Sequence, residues 1–95
     1  MRIVVVRDEP YFWIARILCR NRRKVRIETM RYKLGLRMTS DEIDRVLRFY
    51  AERKMIVVTS KHVKLPHDID IVFTYFDKVY LFRATNRDDI NPEKQ

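Results

Sequence analysis

Arg16, Arg20, Arg22, Arg23, Lys24, Arg26, Arg31, Lys33 and Arg37 crowd into one stretch of 22 residues that holds a single acid, Glu28, for a net charge of +8. The other 73 residues carry 12 basic and 12 acidic side chains and sum to zero. Interspersed charge serves solubility, whereas one sign gathered in one place builds a local field that attracts polyanions. The chemistry this implies is capture of a phosphate backbone. Charge runs are also found as plain solvated helix faces or disordered tails. Here Val25, Ile27, Met30 and Leu34 recur through the block, a regularity that a disordered tail would lack, so the block reads as folded and facing nucleic acid.

Bond-making chemistry finds no support. The chain has no Gly-rich phosphate loop, no His-Glu-x-x-His, no paired carboxylates in a recognisable context and no motif nucleophile, so no enzyme is expected. His62 and His67 lie five apart around Pro66 and read as loop residues. Cys19 is the only cysteine, which excludes an internal disulfide and leaves no Cys-based metal site. No cofactor and no small-molecule substrate are implied. The apolar runs Ile3 to Val6 and Tyr11 to Ala15 fall far short of the roughly 20 residues that span a bilayer. The apolar segment after Arg2 is likewise too short for a signal peptide, so the expected location is intracellular, in the cytoplasm, with no membrane partner.

The elements that must carry the charges follow from length and pattern. Ninety-five residues, 46% of them hydrophobic, make one domain, assigned to residues 1–85 with 86–95 as a polar tail. Met1 to Arg7 holds a β-branched run that predicts a short strand. Asp8, Glu9 and Pro10 then open a helix to about Arg20, apolar over most of its circumference: Tyr11, Ile14, Ala15 and Leu18 on one stripe, Trp13 and Ile17 on another. Such a helix is either central to the core or half of a dimer contact. Arg22, Arg23 and Lys24 form a connection, and a second helix takes Ile27, Met30 and Leu34 inward. Gly35, the sole glycine, suits the left-handed position that ends helices.

The clearest local signal is Thr39-Ser40-Asp41-Glu42. Thr39 and Glu42 have capping-box spacing, and Met38 with Ile43 that of a hydrophobic staple. The third helix therefore starts here, turns Ile43, Val46, Leu47 and Tyr50 inward, and ends near Lys54, where Met55-Ile56-Val57-Val58-Thr59 switches to strand composition. Its outward residues are Asp41, Arg45, Arg48 and Glu52, flanked by Asp44 and Phe49. Beyond Pro66 two readings stand: a helix through Ile69, Val72, Phe73 and Phe76, or a hairpin turning at Asp77-Lys78 that gathers Ile71, Phe73, Tyr75, Tyr80 and Phe82, with β-branched and aromatic enrichment tipping the balance to strands. Either form needs cover, from the first helix or from a second copy, and a two-fold homodimer would match paired DNA half-sites.

Ile17 to Leu65 resembles the winged helix-turn-helix superfamily. Thr29 to Leu36 is similar to its second helix and turn, Ser40 to Lys54 to its recognition helix, and Arg53 to Val58 to its helix-to-wing transition. The expected fold class is thus α+β, mostly helical, a winged helix-turn-helix with an N-terminal strand and a C-terminal strand hairpin or helix. Small transcription factors of archaea and archaeal viruses have this size, and 36% charged residues with one glycine suits a hyperthermophile. The resemblance implies a homodimeric regulator on double-stranded DNA, with the third helix in the major groove. Arg45 and Arg48 would reach base edges, since arginine bonds guanine in bidentate fashion. Arg22, Arg23, Lys24, Arg26, Arg31, Tyr32, Lys33 and Arg37 would meet phosphates. Ser60-Lys61 would turn a wing carrying Lys61, His62 and Lys64.

Two bland readings compete. Asp41 with Arg45, Asp44 with Arg48 and Arg48 with Glu52 are i, i+4 pairs that would make both arginines ordinary salt-bridge partners. The acids at the start of the third helix also suit a winged-helix protein-interaction or assembly module that never touches DNA. RNA is a third partner class, with no aromatic RNA-binding motif to support it.

Overall fold

The computed structural model describes residues 2–6, 9–75 and 78–82. Their order is β1 (Arg2–Val6), α1 (Glu9–Cys19), β2 (Lys24–Arg26), α2 (Ile27–Leu34), α3 (Ser40–Glu52), β3 (Val57–Val58), β4 (His62–Lys64), β5 (Ile69–Tyr75) and β6 (Lys78–Phe82). This is an α+β fold, and six strands among the described residues make it less helical than the sequence suggests. One antiparallel sheet runs β2-β4-β3 and a second runs β1-β5-β6, with β1 parallel to β5. The segment after Pro66 is therefore extended, as its β-branched composition favours. Its register pairs Ile71 with Phe82, Phe73 with Tyr80 and Tyr75 with Lys78. The tail assigned to 86–95 lies outside the described residues, as do Phe76 and Asp77, so the expected turn at Asp77-Lys78 is described only at Lys78.

The core gathers around α1. Tyr11, Ile14, Ala15, Leu18 and Cys19 are buried, meeting Met30 and Leu34 of α2, Ile43, Leu47 and Tyr50 of α3, and Ile69, Ile71 and Phe73 of β5. The Tyr11 ring lies 4.9 Å from that of Tyr50, and its hydroxyl donates to the Met55 carbonyl at 3.0 Å. Burial pushes the Tyr11 phenol and the Cys19 thiol well above their ordinary pKa values. Among the described residues no helix is long and apolar enough to cross a membrane.

Helix boundaries follow their caps. Thr39 accepts from the Glu42 amide at 3.2 Å while Glu42 accepts from the Thr39 amide at 2.9 Å, the reciprocal capping box. Gly35, in contrast, is right-handed (φ −62°), not left-handed. The last turn of α2 runs on through right-handed bonds, with the amides of Gly35, Arg37 and Met38 donating to Arg31, Leu34 and Leu34, so the chain reaches Thr39 without reversing hand. The left-handed positions fall elsewhere. Lys54 has φ 58°, its amide donates to Ala51 and that of Met55 to Tyr50, which closes α3 in a Schellman motif on a lysine. Arg22 and Arg23 have φ 60° and 68°, and the Lys24 amide returns to the Asn21 carbonyl, turning the chain tightly from α1 into β2. Each non-glycine residue there costs about 1–2 kcal/mol against its right-handed form.

Candidate nucleic-acid interface

The basic block does not form a single surface. The tight turn at Arg22-Arg23 sends its two guanidinium groups to different places. Arg22 is exposed. Arg23 turns inward and donates to the carbonyls of Pro66 at 2.6 Å and Ile69 at 3.2 Å, while its own carbonyl accepts from the Leu65 amide. Partial burial, offset by Cys19, Asp70 and Tyr11 nearby, lowers its pKa. Arg23 thus stitches the α1–β2 turn to the segment joining the two sheets, and the phosphate role expected of it conflicts with this placement. Its inward turn depends on carbonyls more than 40 residues away, which local sequence does not announce.

Arg31 is also committed. It pairs with Asp44 and donates to Ser40 Oγ at 2.7 Å, tying α2 to the first turn of α3. Asp44 is therefore spent on α2 instead of on Arg48, and Glu42 is spent on the cap, where its hydrogen bonds with Thr39 hold its pKa low. Two of the three acids at the start of α3 have internal work. Arg45 and Arg48 are exposed, and among the described residues neither is in salt-bridge contact with a carboxylate. Pro10, Glu42, Arg45, Val46, Phe49 and Tyr50 line a shallow groove of about 340 Å³ beside them. Arg53 closes one flank of α3, its guanidinium 3.5 Å above the Phe49 ring.

One cluster of positive charge sits on the β2-β4-β3 sheet. Lys24 stands opposite Lys64 and Arg26 opposite His62, with Val25 opposite Val63 between them. Both valines are buried, so strand alternation puts the four polar side chains together on the outer face. Lys61 adds a fifth at the hairpin tip. There Thr59 and His62 flank a two-residue loop, Ser60-Lys61, as the sequence suggests. Thr59 shapes it: its amide donates to the His62 carbonyl at 2.9 Å and its Oγ1 accepts from the His62 amide at 2.9 Å and the Lys61 amide at 3.3 Å. Neither Thr59 nor β2 was apparent as part of a site from local pattern. The His62 pKa is depressed, by desolvation first and then by Lys24, Lys64, Arg26 and Lys61. On this face Arg26 pairs with Glu28 at 3.5 Å in a largely exposed contact, too weak to neutralise the cluster.

The remaining block residues, Tyr32, Lys33 and Arg37, are exposed on and after α2, on a different side chain cluster that also includes Arg16 and Arg20 of the α1 end. Among the described residues no group of three or more His, Cys, Asp or Glu side chains is placed to hold a metal ion. Compared with family models, curated proteins and solved structures, the chain matches none.

Proposed function

We propose that the chain is a duplex-DNA-binding protein of winged helix-turn-helix type, acting as a transcriptional regulator. The β2-β4-β3 face and its hairpin engage phosphates, and α3 presents Arg45 and Arg48 to base edges. The succession α1, β2, α2, α3, β3, β4, with the hairpin following α3 directly, supports this architecture. The observation that carries the reading is the cross-strand register. Like charges directly opposite destabilise a sheet, yet Lys24 faces Lys64, a cost that a polyanion laid across the face reverses. Lys24, Arg26, Lys61, His62 and Lys64 then position the duplex without reading sequence.

Fluorescence anisotropy on random-sequence duplex across a salt series tests this. Changing Lys24, Arg26 and Lys64 together to alanine should flatten the log–log salt slope by about 2.7, at about 0.9 per lost phosphate contact. Changing Arg45 and Arg48 should instead erode discrimination between sites. Absence of binding at low salt sinks the proposal. The assembly reading, homodimer included, has its own observation: Ile3, 67% exposed, and Val5 stand in water on β1, an edge strand able to pair with a second chain. A monomer by sedimentation at high concentration would remove it.

A further inference from the structure

Four of the cations that do not reach the sheet meet in a second place. Between α1 and α2 lies a groove of about 490 Å³, a volume typical of ligand pockets. Trp13, Ile17, Leu34 and Leu36 give it apolar walls, and Arg16, Arg20, Lys33 and Arg37 give it four positive charges, with no carboxylate among the described residues that line it. Tyr32 at its edge is 75% exposed and Leu36 72%. The Arg37 guanidinium lies 3.7 Å from the centroid of the Trp13 ring, stacked upon it.

We propose that this groove binds an unpaired nucleic-acid strand, at a site separate from the duplex-binding surface. Lining charge of one sign selects an anion. The aromatic groups narrow the choice, because an anion that carries flat π systems between its charges uses both features of the groove. A stacked guanidinium offers its outer plane to a base, and Tyr32 offers a second platform, while Lys33 and Arg37 take the flanking phosphates. A base inside a duplex cannot present its face to either ring, so the occupant is single-stranded. The inference goes beyond the duplex reading and does not rest on it.

The chain reports on this groove by itself, since Trp13 is its only tryptophan. Titrating the full chain with oligothymidylate of about 12 nucleotides, while following Trp13 emission, should give saturable, salt-sensitive quenching. Tyr32 and Lys33 are exposed, so their substitution spares the fold. Tyr32→Ala should weaken binding by about 5- to 150-fold, the loss of one stacked base, Tyr32→Phe should retain it, and Lys33→Ala should flatten the salt slope. Anisotropy on labelled duplex, run in parallel, should be insensitive to Tyr32→Ala. No change in Trp13 emission overturns the inference. So does equal quenching by polyglutamate of matched charge, which would make the groove a site for acidic peptides, or stoichiometric displacement of the oligonucleotide by duplex, which would make the two surfaces one. Quenching without duplex binding would leave this site standing and remove only the duplex proposal.

Discussion

Lys24→Glu should move stability and binding in opposite directions. In β2 and β4 this residue faces Lys64, with the paired valines beneath them buried. A like-charge cross-strand pair is unfavourable and an opposite-charge pair favourable, each by about 0.2–1 kcal/mol. Exchanging one for the other is worth about 1 kcal/mol at low ionic strength. For a domain of this size, that raises the melting temperature by about 4–8 °C. The gain should shrink as salt screens the exposed pair. In the double variant with Lys64→Glu it should vanish, because the pair is again of like charge. Under the proposed function the same change removes a phosphate contact, so duplex affinity should fall and the salt slope flatten by about 0.9. Thermal denaturation at two salt concentrations, with anisotropy on the same samples, measures both. Lys24→Glu leaving the chain no more stable at low salt would refute the register argument. A stabilised variant that binds duplex as tightly as the parent would refute its functional reading.

Three further outcomes follow from the same geometry. Arg23→Ala removes two hydrogen bonds from a charged, half-buried donor and should cost about 2–3 kcal/mol by chemical denaturation, while leaving the salt slope of duplex binding unchanged, since this guanidinium faces the carbonyls of Pro66 and Ile69. Lys54→Gly relieves a left-handed lysine; set against the entropy that glycine adds to the unfolded chain, it should stabilise by about 0.5–1 kcal/mol, and a neutral or destabilising result would contradict the assigned cap. The folded pKa of His62 is depressed, so the unfolded chain binds its proton more readily. The stability it contributes is complete above its unfolded pKa of about 6.5 and lost as pH falls through the lower folded value. A parent whose stability over that window tracks that of His62→Gln would argue against the crowded face.

How much of this was legible in the sequence depends on how local each cause is. The capping box at Thr39 and Glu42 is closed within four residues, and β1, α1 and the two-residue loop at Ser60-Lys61 are likewise set by adjacent side chains. β2 is only Lys24-Val25-Arg26, and it is a strand because β4 lies beside it. Gly35 carries the residue type of a left-handed cap without the conformation, because the next helix begins in the same hand. Spacing alone offered Asp44 to Arg48, and tertiary packing gave it to Arg31. The block between Arg16 and Arg37 was visible as charge. Its division among a sheet face, a groove and two structural guanidinium groups was not, since that division is made by the turn at Arg22-Arg23 and by partners distant in the chain.

The parallel pairing of β1 with β5 sets Arg2 beside Ile69, and this has a consequence for the order of events during synthesis. At about 5–20 residues per second, some 3–13 s separate the making of these two partners. Through that interval α1, α2 and α3 can close on contacts nearer in sequence, while Ile3-Val4-Val5 waits as an apolar strand without its neighbour. Pairing of distant segments is slow because loop closure must precede its reward. β1 is thus placed only after the helices that separate it from β5 have been made, and the nascent chain spends seconds with a β-branched edge open to chaperones and to other copies of itself.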